Sequence, residues 1–218
     1  MPTGRPISTL SNREYLLDVA EGLFVARGVD DVSLRAIGRE AGQRNQSALQ
    51  YHFGNRKGLI IAIATRRRQQ LEARRAVLLA NIVPDGEHFS LRQVIELQIR
   101  APFSLCSEDT SFRDFLGLFG LKLLSSDSDI GFHNTGASDS SSHRLREDAR
   151  QCLAHLPLRL VALRAENALS TSLLALSRRA KYGGKFKGPS AELFFSNLVD
   201  QVVAMILAPI SEETEQQL

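Results

Sequence analysis

Tryptophan is absent from this 218-residue chain, cysteine and methionine occur twice each, and tyrosine three times. Two thiols, Cys106 and Cys152, are too few for a disulfide scaffold and lack metal-ligand spacing. The five histidines, at 52, 88, 133, 143 and 155, are scattered without a repeated spacing, so no metal centre is expected. There is no phosphate-binding glycine loop, no GxGxxG after a strand, no HExxH and no nucleophile elbow. Catalytic residues and cofactors are accordingly expected to be none. No apolar run reaches the roughly 18 residues that a membrane span needs. The opening Met1-Pro2-Thr3-Gly4-Arg5-Pro6 has no apolar core of a signal peptide, so the expected location is the cytoplasm of a prokaryote-like cell, with no membrane partner. Alternation of apolar and polar residues at strand period is missing as well, which makes the expected fold all-α.

What is present is an uneven charge. The net charge of +3 conceals 13 basic against 7 acidic residues in positions 1–75 and 14 against 17 in the remainder. A basic head on a mildly acidic body suits a module that binds a polyanion, joined to a domain that does not. Helical periodicity fills both parts. Leu16, Val19, Ala20, Leu23 and Phe24 mark one stripe of a first helix, from Ser11 or Asn12 to Arg27, with Gly28 as its stop. Ser33 caps a second helix, Leu34 to Ala41, and a third runs from Gln46 to Phe53. A fourth, Arg56 to Asn81, connects head to body, and its Arg66-Arg67-Arg68 and Arg74-Arg75 runs read as a solvated face. Domains are therefore expected at 1–55 and 56–218, with residues 1 to about 10 a mobile arm.

In the body, helices are expected at Leu91–Ala101, stopped by Pro102, at Ser111–Leu124, at His143–His155, from Pro157 to Arg179, and at Ser190–Leu207. Residues 125–142, rich in Ser, Asp and Gly, read as a long loop, and Lys181, Lys185 and Lys187 form a basic loop between glycines. The last helix is apolar around most of its circumference and needs more cover than one small body provides. The last two long helices are thus expected to pair with their copies in a homodimer.

Residues 36–53 form the most informative segment. Gly42 closes the second helix, where a positive φ is accessible to it, and Asn45 opens the third as an N-cap. Ala48, Leu49 and Phe53 can face inward, leaving Gln46, Ser47, Gln50 and Tyr51 outward. Two short helices joined by a tight turn, with amides, hydroxyls and an arginine exposed, suit a DNA major groove. Arg44, Gln46, Ser47 and Gln50 are the candidates for base edges, or else for phosphate and water. Ser33 either holds a phosphate with the amides of the second helix or caps that helix, and the two roles are compatible. Arg56 and Lys57, at the start of the fourth helix, are phosphate candidates or plain surface charge.

Ser33-Leu34-Arg35-Ala36-Ile37-Gly38-Arg39-Glu40-Ala41-Gly42, then Leu49-Gln50-Tyr51-His52-Phe53 and Arg56-Lys57-Gly58-Leu59, resembles the TetR family of transcriptional regulators over roughly residues 11–62. The resemblance implies an N-terminal three-helix helix-turn-helix DNA-binding domain and a larger helical ligand-binding and dimerisation domain. It implies a homodimeric regulator of a palindromic operator on double-stranded DNA, a repressor released by a small-molecule effector. Tyr51 and His52 resemble the family's phosphate-contacting pair. Taken alone, Tyr51 could instead pack on the first helix and His52 could support the turn into the fourth. The turn Gly42-Gln43-Arg44-Asn45 is one residue longer than the commonest family form, giving Asn45 the cap of the third helix. Arg56 stands where many members have lysine, and Gly38 replaces a more usual alanine at about 0.8–1 kcal/mol of helix propensity.

For the effector, Phe103, Cys106, Phe112, Phe115, Phe119 and Phe132 are candidates for an apolar lining, with His133, Arg164 and Asn167 as polar anchors. A phenylalanine stripe at helical spacing serves equally as plain core, and Arg164 and Asn167 could face a dimer partner or solvent. Two rival functions stand beside the regulator: a helical small-molecule-binding protein or enzyme without a DNA role, and an architectural DNA-binding protein without a ligand. Activation rather than repression is not separable by sequence.

Overall fold

A computed structural model of the chain describes residues 12–42, 47–82, 88–120 and 141–218, Ser47 by its backbone alone. Among these residues lie ten helices and no strand: α1 (Asn12–Arg27), α2 (Leu34–Glu40), α3 (Ser47–Phe53), α4 (Arg56–Ile82), α5 (Leu91–Glu108), α6 (Thr110–Phe119), α7 (Ser141–Cys152), α8 (Leu158–Lys181), α9 (Pro189–Ile206) and α10 (Glu212–Glu215). The all-α fold with a small N-terminal helix-turn-helix domain and a larger helical domain is thus observed. The chain divides into two compact units, Met1–Arg67 and Arg68–Leu218, and the division falls inside α4. From the sequence, all of α4 is expected in the second domain.

In the first unit, α1 buries Leu16, Leu17, Ala20, Leu23 and Phe24, and the following loop adds Val29 and Val32. Ile37 and Ala41 of α2, Leu49 and Phe53 of α3, and Leu59 and Ile63 of α4 complete the buried set. Gly42 has φ +67°, as its role at the end of α2 requires.

The arginine runs of α4 are not a solvated face. Arg66 Nη1 reaches Glu14 at 3.2 Å and Asp18 at 2.7 Å, and its Nη2 lies 3.2 Å from Glu21. Arg67 donates from Nε to Glu21 at 3.1 Å and from Nη2 to the second oxygen of the same carboxylate. Its side chain is only 5% exposed and that of Glu21 9%. Burial works against the Arg66 charge, but the neighbouring carboxylates of Glu21 and Asp18 more than offset it and raise its pKa above the ordinary value. The acids stand at positions 14, 18 and 21 of α1, so they share one face of that helix. Further along α4, within the second unit, Arg74 pairs with Glu108 and Arg75 donates to Ser142 Oγ at 2.9 Å.

Three elements of the second unit depart from expectation. Pro102 does not stop α5, which continues to Glu108. The proline removes one hydrogen bond from the helix, while Phe103, Leu105 and Cys106 beyond it are all buried, and their burial carries the helix onward. Asp109 then joins two helices: its amide donates to Leu105 O, closing α5, and its carboxylate accepts from Ser111 N and Phe112 N, opening α6. Helix α7 begins at Ser141, two residues inside the stretch read as loop, because Glu72 of α4 accepts from Ser142 N at 3.3 Å and Oγ at 2.6 Å. A cap supplied by a distant helix leaves no mark beside the residues it caps. The third departure is α10, opened by Ser211, whose Oγ accepts from Thr214 N. The remainder of the expected loop, and the last turn expected for α6, lie outside the described residues.

Helix α6 lies close against α8. A Cβ at Gly120 would stand 1.7 Å from Ser177 Oγ, and one at Gly117 would stand 3.0 Å from Lys181 N. Behind this contact, residues of α5, α8 and α9 form the main core, including Ile99, Phe103, Cys106, Leu176, Phe195, Leu198 and Val202.

The Arg67–Glu21 pair yields a stability prediction. Arg67→Ala leaves the Glu21 carboxylate buried with less of its charge met and should cost about 3–5 kcal/mol in urea unfolding of the N-terminal unit. Replacing both residues by well-packed apolar ones, as in Glu21→Leu with Arg67→Met, should recover most of that loss.

Candidate nucleic-acid interface

The candidate interface comprises the N-terminus of α2, the outer face of α3 and the start of α4. Ser33 Oγ accepts from Ala36 N at 3.2 Å, so the capping role is present. Its hydroxyl hydrogen has no acceptor among the described residues, and the side chain is exposed and able to donate outward. On α3, Leu49 and Phe53 turn inward and are buried, as the helical spacing requires. Gln50 is exposed, and Tyr51 is 86% exposed, so Tyr51 is not packed on α1. The Tyr51 ring meets only the edge of His52, with centroids 5.2 Å apart. His52 is half-buried between Tyr51 and Phe53, whose ring is 6.0 Å away.

Arg56 is differently engaged. Its Nε donates to Val32 O at 3.3 Å, another guanidinium nitrogen donates to Val29 O, and Asp30 lies 3.9 Å away. The side chain therefore lashes the loop between α1 and α2 to the first turn of α4. Lys57, the next residue, is exposed. Arg44, Asn45 and Gln46 lie outside the described residues, as does the longer turn, and of Ser47 only the backbone is described.

Four contributors escape sequence reasoning. Asn55 caps α4 through its Oδ1, which accepts from Gly58 N at 2.9 Å. Arg13 of α1 lies over the Phe53 ring at 5.5 Å and braces the end of α3. Arg35 and Arg39 place two exposed cations on α2. The first had a legible signal, an asparagine just before a helix start; the ring contact depends on how α1 meets α3. Gly38, a cost in helix propensity, also acquires a reason: a Cβ there would stand 3.3 Å from Leu49 Cδ1, so the small residue lets α3 sit close to α2.

Of the residues suggested for an effector, Phe103, Cys106 and Phe112 share the main core. Phe103 is buried among Phe186, Phe194 and Phe195, with centroids 5.4, 6.5 and 5.2 Å away. Phe112, Phe115 and Phe119 form a row along α6, with Phe115 and Phe119 stacked at 5.2 Å. Arg164 donates to Ile206 O at 2.6 Å, which closes the C-terminal end of α9 onto α8. Asn167 is exposed, and Phe132 and His133 lie outside the described residues. Cys106 is buried, and burial foremost pushes its thiol up to about 12; Arg113 opposes this, while Asp109 and Asp114 add to it. Among the described residues, no three of His, Cys, Asp and Glu gather as metal ligands, and no helix is long and apolar enough to cross a membrane.

With this geometry in place, the chain can be set beside known proteins. Residues 16–63 match the family model described as bacterial regulatory proteins, tetR family. This segment carries the family's N-terminal helix-turn-helix domain, so the resemblance read from Ser33–Gly42 and Tyr51–Phe53 holds. The chain as a whole is similar in fold to solved TetR-family regulators. It is similar to a putative tetR family transcription regulator from Shewanella sp. PV-4, with 18% identity, TM-score 0.60, and coverage of 90% of this chain and 96% of that one. A tetR-family transcriptional regulator from Streptomyces coelicolor is 19% identical with TM-score 0.52, covering 94% of this chain and 85% of the other. The fatty acid degradation regulator FadR from Bacillus halodurans is 10% identical with TM-score 0.53, covering 94% and 97%. No curated protein matches the chain by sequence.

The two thiols should separate chemically. At about pH 8, iodoacetamide should label half-buried Cys152 well before Cys106, whose thiol stays protonated, and both should react once the protein is denatured. Mass spectrometry of the peptides reads the difference, and equal labelling in the native protein would contradict the burial of Cys106.

Proposed function

We propose that this protein is a homodimeric, sequence-specific DNA-binding transcriptional regulator, a repressor that leaves a palindromic operator when its second unit takes up a small molecule. The observation that carries the reading is the outer face of α3. On a tetR-type helix-turn-helix, Gln50 and Tyr51 project while Leu49 and Phe53 anchor the helix from behind. In this reading Arg44, Gln46, Ser47 and Gln50 meet base edges, and a glutamine can pair bidentately with adenine. Ser33, Asn45, Tyr51, His52 and Lys57 meet the backbone. Arg56 positions the loop before α2 and contributes its charge from there. The protein acts where the DNA is, in the cytoplasm.

Dimerisation is supported by an uncovered seam. Leu163, Asn167, Ser170 and Leu174 fall on one face of α8 at steps of three and four residues. Leu163 is 52% and Leu174 40% exposed, and Leu193 of α9 is 71% exposed. Large apolar side chains in such a row mark a surface that another protein covers. An isologous contact between copies of this seam gives the two-fold symmetry that a palindromic site requires, with Asn167 as its polar member. For the effector, the aromatic row Phe112, Phe115 and Phe119, together with Phe103 and Cys106, offers an apolar lining, with His133 and Arg164 as polar candidates.

Selection of genomic fragments by the purified protein should return a palindrome. On that site Gln50→Ala should relax base preference by about 1–3 kcal/mol at one position per half-site while leaving the salt dependence nearly unchanged. Tyr51→Phe should weaken binding to all sequences alike. An equal loss on every sequence for Gln50→Ala would remove it from base reading. Separately, Leu163→Glu with Leu174→Glu should convert a dimer to a folded monomer in sedimentation and weaken operator binding strongly.

A further inference from the structure

One face of α8 joins an apolar centre to unlike charges at its two ends. The seam of Leu163, Asn167, Ser170 and Leu174 continues in both directions at the same helical spacing. Arg159 precedes it, Arg178 and Lys181 follow it, and all three are exposed. The far end of this row is basic. From Arg178 to Ser190 the chain carries Arg178, Arg179, Lys181, Lys185 and Lys187 and no acidic residue. Arg179 is occupied within the fold, since it donates from Nε to Lys185 O at 2.8 Å and lies over Phe194 at 4.3 Å. The other four are exposed.

The near end of the row is acidic by a different route. The chain leaves α9 at Ile206, whose carbonyl accepts from Arg164 of α8 at 2.6 Å. It returns to α8 at Gln217, whose carbonyl accepts from Arg159 at 3.5 Å. Between these anchors lies α10, with Glu212, Glu213 and Glu215 exposed and no cation. The α10 segment therefore lies beside the beginning of α8. Among the described residues, neither these acids nor the four cations form an ion pair within the chain. Glu213 is held below the usual carboxylate range by hydrogen bonds from its own amide and from Ser211, with no cation among the causes. The acids near the basic turn are taken: Glu108, on which the charge of Lys187 acts, is bonded to Arg74, and Glu192 to Arg100 at 2.9 Å.

A second copy settles both charges if it lies antiparallel. The seam is symmetric about a point between Ala168 and Leu169, with Asn167 and Ser170 flanking it and Leu163 and Leu174 beyond. A two-fold axis crossing α8 at that point sets Leu163 against the partner's Leu174 and Arg159 against the partner's Arg178. At 1.5 Å per residue, Arg159 then stands about 14 Å from the axis and Lys181 about 19 Å away on the other side. The basic turn of each copy meets the acidic segment of the other, twice per dimer. A two-fold axis running along α8 would instead bring like ends together, and like charges juxtaposed in an interface repel.

We propose that two copies pair antiparallel along this face of α8, and that the basic α8–α9 turn of each clasps the α10 segment of the other. Arg178, Lys181, Lys185 and Lys187 of one copy face the three glutamates of its partner. The clasp rests on the homodimer proposed above, and it adds an orientation and a charge dependence. All of its residues belong to the second unit. Exposed ion pairs are individually weak and are screened by salt. The apolar seam supplies the adhesion, and the charged ends select the antiparallel arrangement over the parallel one.

The test is a charge swap in the full chain, read as the dimer dissociation constant by sedimentation with one partner labelled. One variant carries Lys181→Glu/Lys185→Glu/Lys187→Glu and the other Glu212→Lys/Glu213→Lys/Glu215→Lys. Each alone should dimerise about tenfold more weakly than the wild type at low salt, and the difference should shrink as salt rises. Mixed in equal amounts, the two should form a heterodimer about as tight as the wild-type dimer, because both clasps again join unlike charges. That rescue also requires both variants to be folded. Preferential pairing of the lysine-to-glutamate variant with the wild type, rather than with its counterpart, would signal the parallel arrangement and overturn the proposal. Weakening that the mixture does not relieve, or wild-type affinity in both variants, would overturn the clasp while leaving the homodimer standing. A wild type that stays monomeric would instead strike the homodimer reading itself, and the clasp with it.

Discussion

The buried ion pair between Arg67 and Glu21 is the constraint on which the N-terminal unit turns. A guanidinium and a carboxylate removed from water are costly unless each satisfies the other, and here the bond is two-pronged, with Arg66 adding its own contacts to Glu21, Asp18 and Glu14. The geometry admits one alignment of α4 on α1. A slide by one residue along either helix would leave three acids and two arginines facing the wrong partners. Apolar packing alone tolerates small slips; a fork of paired charges does not. Helix α3 inherits this definition, since it enters α4 after only two residues, and Asn55 and Arg56 secure that junction from both sides.

In the second unit the same helix carries a charge pair and a hydrogen bond, where Arg74 meets Glu108 and Arg75 meets Ser142. One long element thus uses its arginines as fasteners rather than as a polyanion-binding surface. That redistributes the basic head seen in the composition. Part of its excess charge is neutralised internally, and the exposed cations Arg35 and Arg39 stand on α2, beside the proposed DNA face. Bulk charge pointed toward nucleic acid for a reason that is only partly correct.

The regulator proposed above must also hold its second unit in a form that can respond. The small residues Gly117 and Gly120 bring α6 against α8, and the aromatic row on α6 is buried behind them. Helix α8 is then committed on two sides: inward to α6 and α9, outward along the Leu163–Leu174 seam. Anything that alters the packing of α6 is felt by the helix proposed to meet the partner copy. Coupling of this kind needs no wire, only a shared, closely packed helix.

Much was legible from sequence because the deciding signals were local. Leu16, Ala20, Leu23 and Phe24 recur at helical period, Gly42 closes α2, and Ser33 caps it; each acts within a few residues, and each was found in place. The helix-turn-helix and its class follow from such features. What tertiary structure alone decided involves partners distant in the chain. Pro102 stays inside α5 because the buried residues beyond it outweigh one lost hydrogen bond. Ser141 starts α7 because Glu72 reaches its neighbour Ser142 from α4. Arg56 turns back to Val29 and Val32, and Arg66 and Arg67 find the acids of α1 some 46 to 52 residues earlier. The physical reason is common to all four. A side chain's chemistry and spacing show what it can bind, but only the folded chain brings a partner within reach and excludes the water that would otherwise compete.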